Sequence, residues 1–360
     1  MSKIISIGTA VPQYRSLQPT ILEFMQDAYA DDVASRKLSV LFNNSGISSR
    51  YSVIPDFDKS NNQHVFFNGM PRLTDVQSRL DIFKEEAIPL AVQAINCAFE
   101  KIDAHISSFG ITHLITVSCT GMYAPGLDAG LIEKLDLPKD IFHTSVNFLG
   151  CNAAFHALKI ADMITKSDAA AKVLVVCVEL CTLHFQAKNN HDNLLSNTIF
   201  GDGAAAVIVT ADLSERKGFL IKGFYSLILN KGKELMGWNI TPLNFEMILD
   251  AKIPEVIGEE VVNILISASE KFQIAPDSIT NWAIHPGGKR IVDVIKEKLQ
   301  LSNADTAASY KILDEFGNMS SPTILFVLNE LMENSKGDES VFSIGFGPGL
   351  SIETALFAYE

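Results

Sequence analysis

The chain has 360 residues, 47% of them hydrophobic and 20% charged, a balance that excludes disordered and collagen-like chains and leaves room for two domains or one large duplicated unit. The 42 acidic residues outnumber the 29 basic ones for a formal charge of −13, and no Lys/Arg-rich run exists to meet a nucleic-acid backbone. The five cysteines, Cys97, Cys119, Cys151, Cys177 and Cys181, include no CxxC pair. Cys177 and Cys181 with nearby His184 do not make a zinc set, so reduced thiols and no metal are expected. No signal-like apolar run opens the sequence and no stretch of about 18 apolar residues occurs, so the sequence predicts a cytoplasmic protein without a membrane span.

Along the chain, short β-branched runs alternate with longer amphipathic segments, the pattern of an α/β fold with buried strands. A strand is expected at Lys3 to Ile7, a polar surface loop at Pro55 to Phe67, a helix over Val76 to Lys101 and a strand at Leu114 to Ser118. A helix over Asn152 to Lys166, a strand at Lys172 to Val178, an Asn-dense surface loop at Gln186 to Asn193 and a strand at Ala204 to Thr210 follow. The charged stretch Ala211 to Gly218 predicts a boundary between halves spanning 1–213 and 214–360. Beyond it, strands are expected at Phe219 to Leu227, Asn281 to Ile284, Val341 to Gly345 and Glu353 to Ala358, with helices over Glu259 to Phe272, Lys289 to Leu299 and Ser321 to Met332. Phe200-Gly-Asp-Gly and Phe346-Gly-Pro-Gly stand at comparable places in the two halves, which points to a duplication.

Three residues can carry chemistry. Cys151 follows Gly150 where an extended run passes into a helix, and the free N–H groups and dipole of a helix N-terminus favour a thiolate near neutral pH. The same position suits a small residue packed in a turn. His285 ends the run Trp282-Ala-Ile and precedes Pro286-Gly-Gly; an imidazole at the carboxyl end of a strand faces the ligand crevice of an open α/β sheet, although one of eight histidines can equally be structural. Asn318, in Phe316-Gly-Asn-Met-Ser-Ser, is either a turn residue or an amide donor for a developing enolate oxygen. Together a thiol, an imidazole and an amide suffice for acyl transfer followed by decarboxylative carbon–carbon bond formation.

From about residue 3 to its end, the chain resembles the type III polyketide synthases, the chalcone and stilbene synthase family, in its bacterial branch. The ordered motifs are Ile-Gly-Thr-Ala-Val-Pro near the start, Gly150-Cys151, Phe200-Gly-Asp-Gly-Ala-Ala-Ala, His285-Pro-Gly-Gly, Gly317-Asn-Met-Ser-Ser and Gly345-Phe-Gly-Pro-Gly-Leu. The resemblance implies a duplicated thiolase-type αβαβα five-layered fold, a homodimer, and Cys151, His285 and Asn318 as catalytic residues, with His285 paired to Cys151. It also implies that Phe200 and Phe245 are gatekeepers and that Cys119, Thr120, His184 and Trp238 line the cavity that sets starter size and chain length. Of the family's basic cluster for CoA phosphate, Lys37 is kept, whereas Val40 and Asn44 replace two expected cations; Arg290, Lys289, Arg36 and Arg50 are alternative phosphate partners.

The resemblance implies an acyltransferase that loads an acyl starter on Cys151, condenses it repeatedly with malonyl-CoA and cyclises the chain to an alkylpyrone or alkylresorcinol-type product, with a fatty acyl starter favoured. CoA thioesters are its substrates, no cofactor is needed, and an acyl carrier protein is a possible starter donor. The alternatives are a single-condensation ketoacyl-ACP synthase III-like enzyme and a catalytically silent acyl-CoA-binding homologue.

Overall fold

A computed structural model describes residues 1–57, 75–211 and 216–360. Most of the predicted loop Pro55 to Phe67 and the centre of the predicted boundary, residues 212–215, lie outside the described residues.

Nine strands form one sheet in the order Phe142–Asn147, His113–Ser118, Lys172–Leu180, Asp202–Thr210, Ser2–Ala10, Phe219–Ile228, Ser351–Tyr359, Glu339–Gly347 and Asn281–Ile284. The order repeats itself about the middle. Ser2–Ala10 pairs antiparallel with Asp202–Thr210, which pairs antiparallel with Lys172–Leu180, which runs parallel to His113–Ser118. Phe219–Ile228, Ser351–Tyr359, Glu339–Gly347 and Asn281–Ile284 reproduce the same three relations. The two copies meet where Ser2, Lys3 and Ile4 pair with Ile221, Leu220 and Phe219.

The period-two alternation of strand side chains separates the layers. In Lys172–Leu180, Leu174, Val176 and Val178 face a core built on helix Val76–Glu100, while Val173, Val175 and Cys177 face a second core containing helices Ala153–Ser167 and Thr323–Asn334. The second copy presents Val341, Ala355 and Phe357 to that same central core. Phe342, Ile344 and Ile352 face a third core with helices Ile253–Phe272 and Lys289–Lys298. Helices, sheet, central helices, sheet and helices therefore form five layers, the duplicated thiolase-type αβαβα arrangement.

All eight expected strands and five expected helices are present, with modest shifts at their ends. The loop expected at Gln186 to Asn193 extends only to Asn190, with Ala187, Asn189 and Asn190 exposed; there Asn190 accepts the Asn193 N–H and caps helix His191–Ile199, and Gln186 and Asn193 are buried. Helices Gln18–Tyr29, Asp32–Asn43, Leu127–Lys134 and Asn303–Phe316, the edge strand Phe142–Asn147 and the ribbon Met236–Ile240 with Phe245–Leu249 add to the expected elements.

Candidate active site

Gly150 adopts φ +78°, and a Cβ there would lie 2.2 Å from Cδ of Pro348. Only glycine allows this turn, which delivers Cys151 through a short 3₁₀ segment to the N-terminus of helix Ala153–Ser167. The neighbouring Asn152 is fully buried and donates from Nδ2 to Ser351 Oγ at 2.9 Å, so the first half's thiol turn is fastened to the second half's terminal hairpin. Cys119 adds a further tether, its Sγ accepting the Gly150 N–H at 3.0 Å.

Asn318 enters from the other copy. Its N–H donates to Ile199 O and its carbonyl accepts the Gly201 N–H, each within 3.0 Å, forming a parallel bridge with Phe200. Its Oδ1 accepts the Ser320 N–H at 2.8 Å, which fixes the amide so that Nδ2 donates to Gly287 O at 3.2 Å and reaches Cys151 Sγ at 4.0 Å. His285 follows strand Asn281–Ile284, its N–H donating to Ile344 O at 2.9 Å. Its ring lies against Gly287, where a Cβ would stand 3.7 Å from Nε2. The fold thus gathers Cys151, His285 and Asn318 from positions far apart in sequence.

Burial dominates their electrostatics. Desolvation pushes the Cys151 thiol up to about 11 against the lowering effect of hydrogen bonds from Ser320 and Asn318, and it pushes His285 down to about 3. Removal from water thus opposes the thiolate that the helix terminus favours. Neither ring nitrogen of buried His285 has a hydrogen-bond partner among the described residues, and no hydrogen bond joins it to Cys151. Burial favours the neutral form of both groups, and the His285 ring nitrogens are unpartnered among the described residues.

Cys151 opens into a cavity of about 760 Å³, its mouth included, whose wall contains Phe200, Phe245, Cys119, Thr120, His184 and Trp238. Asn318 meets this cavity at Cys151 Sγ, and Gly287, whose carbonyl accepts from Asn318, lies against the His285 ring. His184 organises one side: it stacks on Phe245 at 4.6 Å between ring centroids and meets Trp238 edge-on at 5.7 Å. Its Nδ1 accepts the Phe245 N–H at 3.1 Å, so Nε2 carries the proton and donates to Thr120 O at 2.7 Å. Trp238 Nε1 donates to Cys119 O at 2.7 Å. These contacts make His184 a buttress, and burial depresses it to about 3.

Lys37 and Arg290 are exposed and outside the cavity wall; Lys37 Nζ lies 3.5 Å from Asn189 Oδ1. Lys289, beside Gly46, is paired with Asp293 at 2.8 Å. Arg50, also expected as an alternative phosphate partner, takes a different position. Arg50 is buried, donates from Nε to Gln18 Oε1 at 3.0 Å and from Nη1 to Phe200 O, and lines the cavity.

Sequence reasoning also passed over Glu179. This fully buried carboxylate accepts the N–H groups of Cys119 and Thr120 and the hydroxyls of Thr120 and Ser321, and burial raises it above the ordinary carboxylate range. A lone acid within the apolar run Val173 to Leu180 was its legible signal. Asn193, Ser196, Asn197 and Phe200, spaced i, i+3, i+4 and i+7, likewise turn one helix face to the cavity.

Two family models match the chain: chalcone and stilbene synthases, N-terminal domain, over residues 1–213, and the C-terminal domain of the same family over residues 225–358. The chain belongs to the chalcone and stilbene synthase family. These type III polyketide synthases are condensing acyltransferases that use CoA thioesters without a further cofactor. The chain is 26% identical over 363 residues to "Alpha-pyrone synthesis polyketide synthase-like Pks18" of Mycobacterium tuberculosis, covering 98% of this chain and 90% of that one. It is 28% identical over 360 residues to "Probable polyketide synthase 1" of Dictyostelium discoideum, covering 98% of this chain but 11% of that much longer protein. Among solved structures, PKS-I from the brown alga Ectocarpus siliculosus superposes with a TM-score of 0.91 at 28% identity, covering 100% of this chain and 98% of the alga's. Among the described residues, no helix is long and apolar enough to cross a membrane, and no group of three or more His, Cys, Asp or Glu is placed to hold a metal ion.

Proposed function

We propose that this type III polyketide synthase loads an acyl starter on Cys151, extends it iteratively with malonyl-CoA and releases an alkylpyrone or alkylresorcinol-type product. The observation that carries the reading is the reach of Asn318 Nδ2 to Cys151 Sγ at 4.0 Å and to Gly287 O at 3.2 Å beside His285. As the thiol attacks the starter thioester, His285 takes its proton; the S–C bond to Cys151 forms, the bond to CoA breaks, and the imidazolium returns the proton to the departing thiolate. Malonyl-CoA then loses CO₂. Asn318 and His285 donate to the enolate oxygen, and the enolate carbon attacks the acyl carbonyl, forming C–C and releasing the Cys151 thiolate.

The apolar and aromatic wall suits an alkyl starter. We assign the halves to residues 1–213 and 214–360, and Lys37 and Arg290 to the phosphates of CoA or of a carrier-protein arm. Homodimerisation is supported by the edge strand Phe142–Asn147, which is paired on one side only among the described residues and opens on exposed Phe142, with exposed Leu149 two residues past its end. A cytoplasmic location accords with CoA thioesters as substrates.

Mass spectrometry of products from malonyl-CoA and acyl-CoA starters of increasing length tests the reading. Products carrying two or more extensions, with masses that track the starter, are expected. A single-extension product would replace the reading with a ketoacyl synthase, and bound but unconverted acyl-CoA with a silent binder.

A further inference from the structure

Two polar groups in the cavity wall lack partners among the described residues: Nη2 of Arg50 and Oγ of Ser196. Both residues hold the backbone of Phe200 through other atoms. Arg50 donates from Nη1 to Phe200 O, while Ser196 O accepts the Phe200 N–H at 3.1 Å. Arg50 is held firmly there. Its Cγ would stand 2.9 Å from a Cβ at Gly317, which has φ +69°, so that motif glycine leaves room for the arginine stem.

Other groups on this wall are already engaged. Asn193 donates from Nδ2 to Asn190 Oδ1 and Asn197 to Tyr29 Oη, so Ser196 alone of the three polar residues on this helix face has a side chain without a protein partner among the described residues. Buried donors without acceptors are costly, and a ligand oxygen is the natural complement where they border a cavity. The identity of that oxygen follows from charge. Asp202 interacts electrostatically with Arg50 and is itself held by Val53 N–H, Thr182 N–H and Thr182 Oγ1. With the guanidinium charge offset, the buried, unpartnered donors suit a neutral carbonyl better than a second carboxylate.

We propose that Arg50 Nη2 and Ser196 Oγ form a carbonyl-recognition subsite beside Phe200 that donates hydrogen bonds to keto oxygens of the growing poly-β-keto chain. This deepens the proposed iterative synthase and rests on it. A saturated starter offers the subsite no acceptor, whereas each extension adds one, so the subsite acts on chain length more than on loading.

The test is the ratio of longer to shorter polyketides made by the full-length enzyme from ¹³C-malonyl-CoA and one acyl-CoA starter, read by mass spectrometry. Ser196→Ala is expected to lower that ratio about 2- to 12-fold, the range for one lost hydrogen bond. Ser196→Thr, which keeps a hydroxyl, should restore it, and Arg50→Lys should lower it further. An unaltered ratio in Ser196→Ala, with multiply extended products from the parent enzyme, overturns the subsite alone. A parent enzyme that stops after one extension overturns the iterative reading itself. Folding of Arg50→Lys is checked by its thermal transition; the Ser196 pair decides the matter if that variant does not fold.

Discussion

Asn318 Nδ2 reaches Cys151 Sγ at 4.0 Å across 167 positions of sequence, and it does so from the opposite copy of the duplicated fold. The thiol arrives on a helix N-terminus of the first copy and the amide on a turn beside the second copy's buried helix, Thr323–Asn334. Neither half alone assembles the site.

Asn318→Ala removes the amide aimed at the enolate oxygen. Malonyl-CoA decarboxylation, followed as CO₂ release, should fall roughly 100- to 1,000-fold, the loss typical of one oxyanion donor. Starter acylation of Cys151 should persist. Loss of acylation together with decarboxylation would assign Asn318 a purely structural part.

Burial raises the Cys151 thiol above its ordinary value, so the protonated form persists to higher pH and the reactive thiolate fraction grows as pH rises. Alkylation of Cys151 by iodoacetamide should therefore keep accelerating from pH 6 to 9. A plateau reached by pH 6 would show a resting thiolate–imidazolium pair instead.

His184→Ala leaves the Phe245 N–H and the Thr120 carbonyl without their imidazole partner and empties the space between Phe245 and Trp238. A loss of about 2 to 4 kcal/mol in stability is expected from the cavity and the unpaired groups, with starter preference shifting toward longer chains. Denaturant unfolding and competition between two acyl-CoA lengths measure the two effects.

Asp202 is raised by burial to about 6 from 3.8. The folded state then binds a proton more tightly than the unfolded chain, so this group's contribution to stability is greatest below pH 3.8 and declines as pH rises toward 6. The decline is about 3 kcal/mol at most. Asp202→Asn should remove it, making the thermal transition less dependent on pH between 4 and 6; equal slopes in the two proteins would contradict the assignment.

The apolar, β-branched strands were legible because both faces of each copy of the sheet are covered, so continuous hydrophobic runs mark them. Phe142–Asn147 escaped because an edge strand with exposed Phe142, His143 and Ser145 carries no buried pattern. Helix Asn303–Phe316 opens on polar text, although Ser302 and Asp305 form a capping box that could have marked its start. Cys151, His285 and Asn318 were legible through glycine-bearing turns and family motifs. The burial of Arg50 was not, because it depends on space left by Gly317 from a distant segment. Nor was the upward pull of burial on the Cys151 thiol, since desolvation is a property of the packed cavity and not of the local helix terminus.

The central assignment, that Cys151 carries the acyl chain, is tested most directly by peptide mass spectrometry after brief incubation with an acyl-CoA. The account predicts one acyl adduct on the peptide containing Cys151 and none in Cys151→Ala. An adduct on Cys119 or Cys181, or an acylated Cys151→Ala protein, would contradict it.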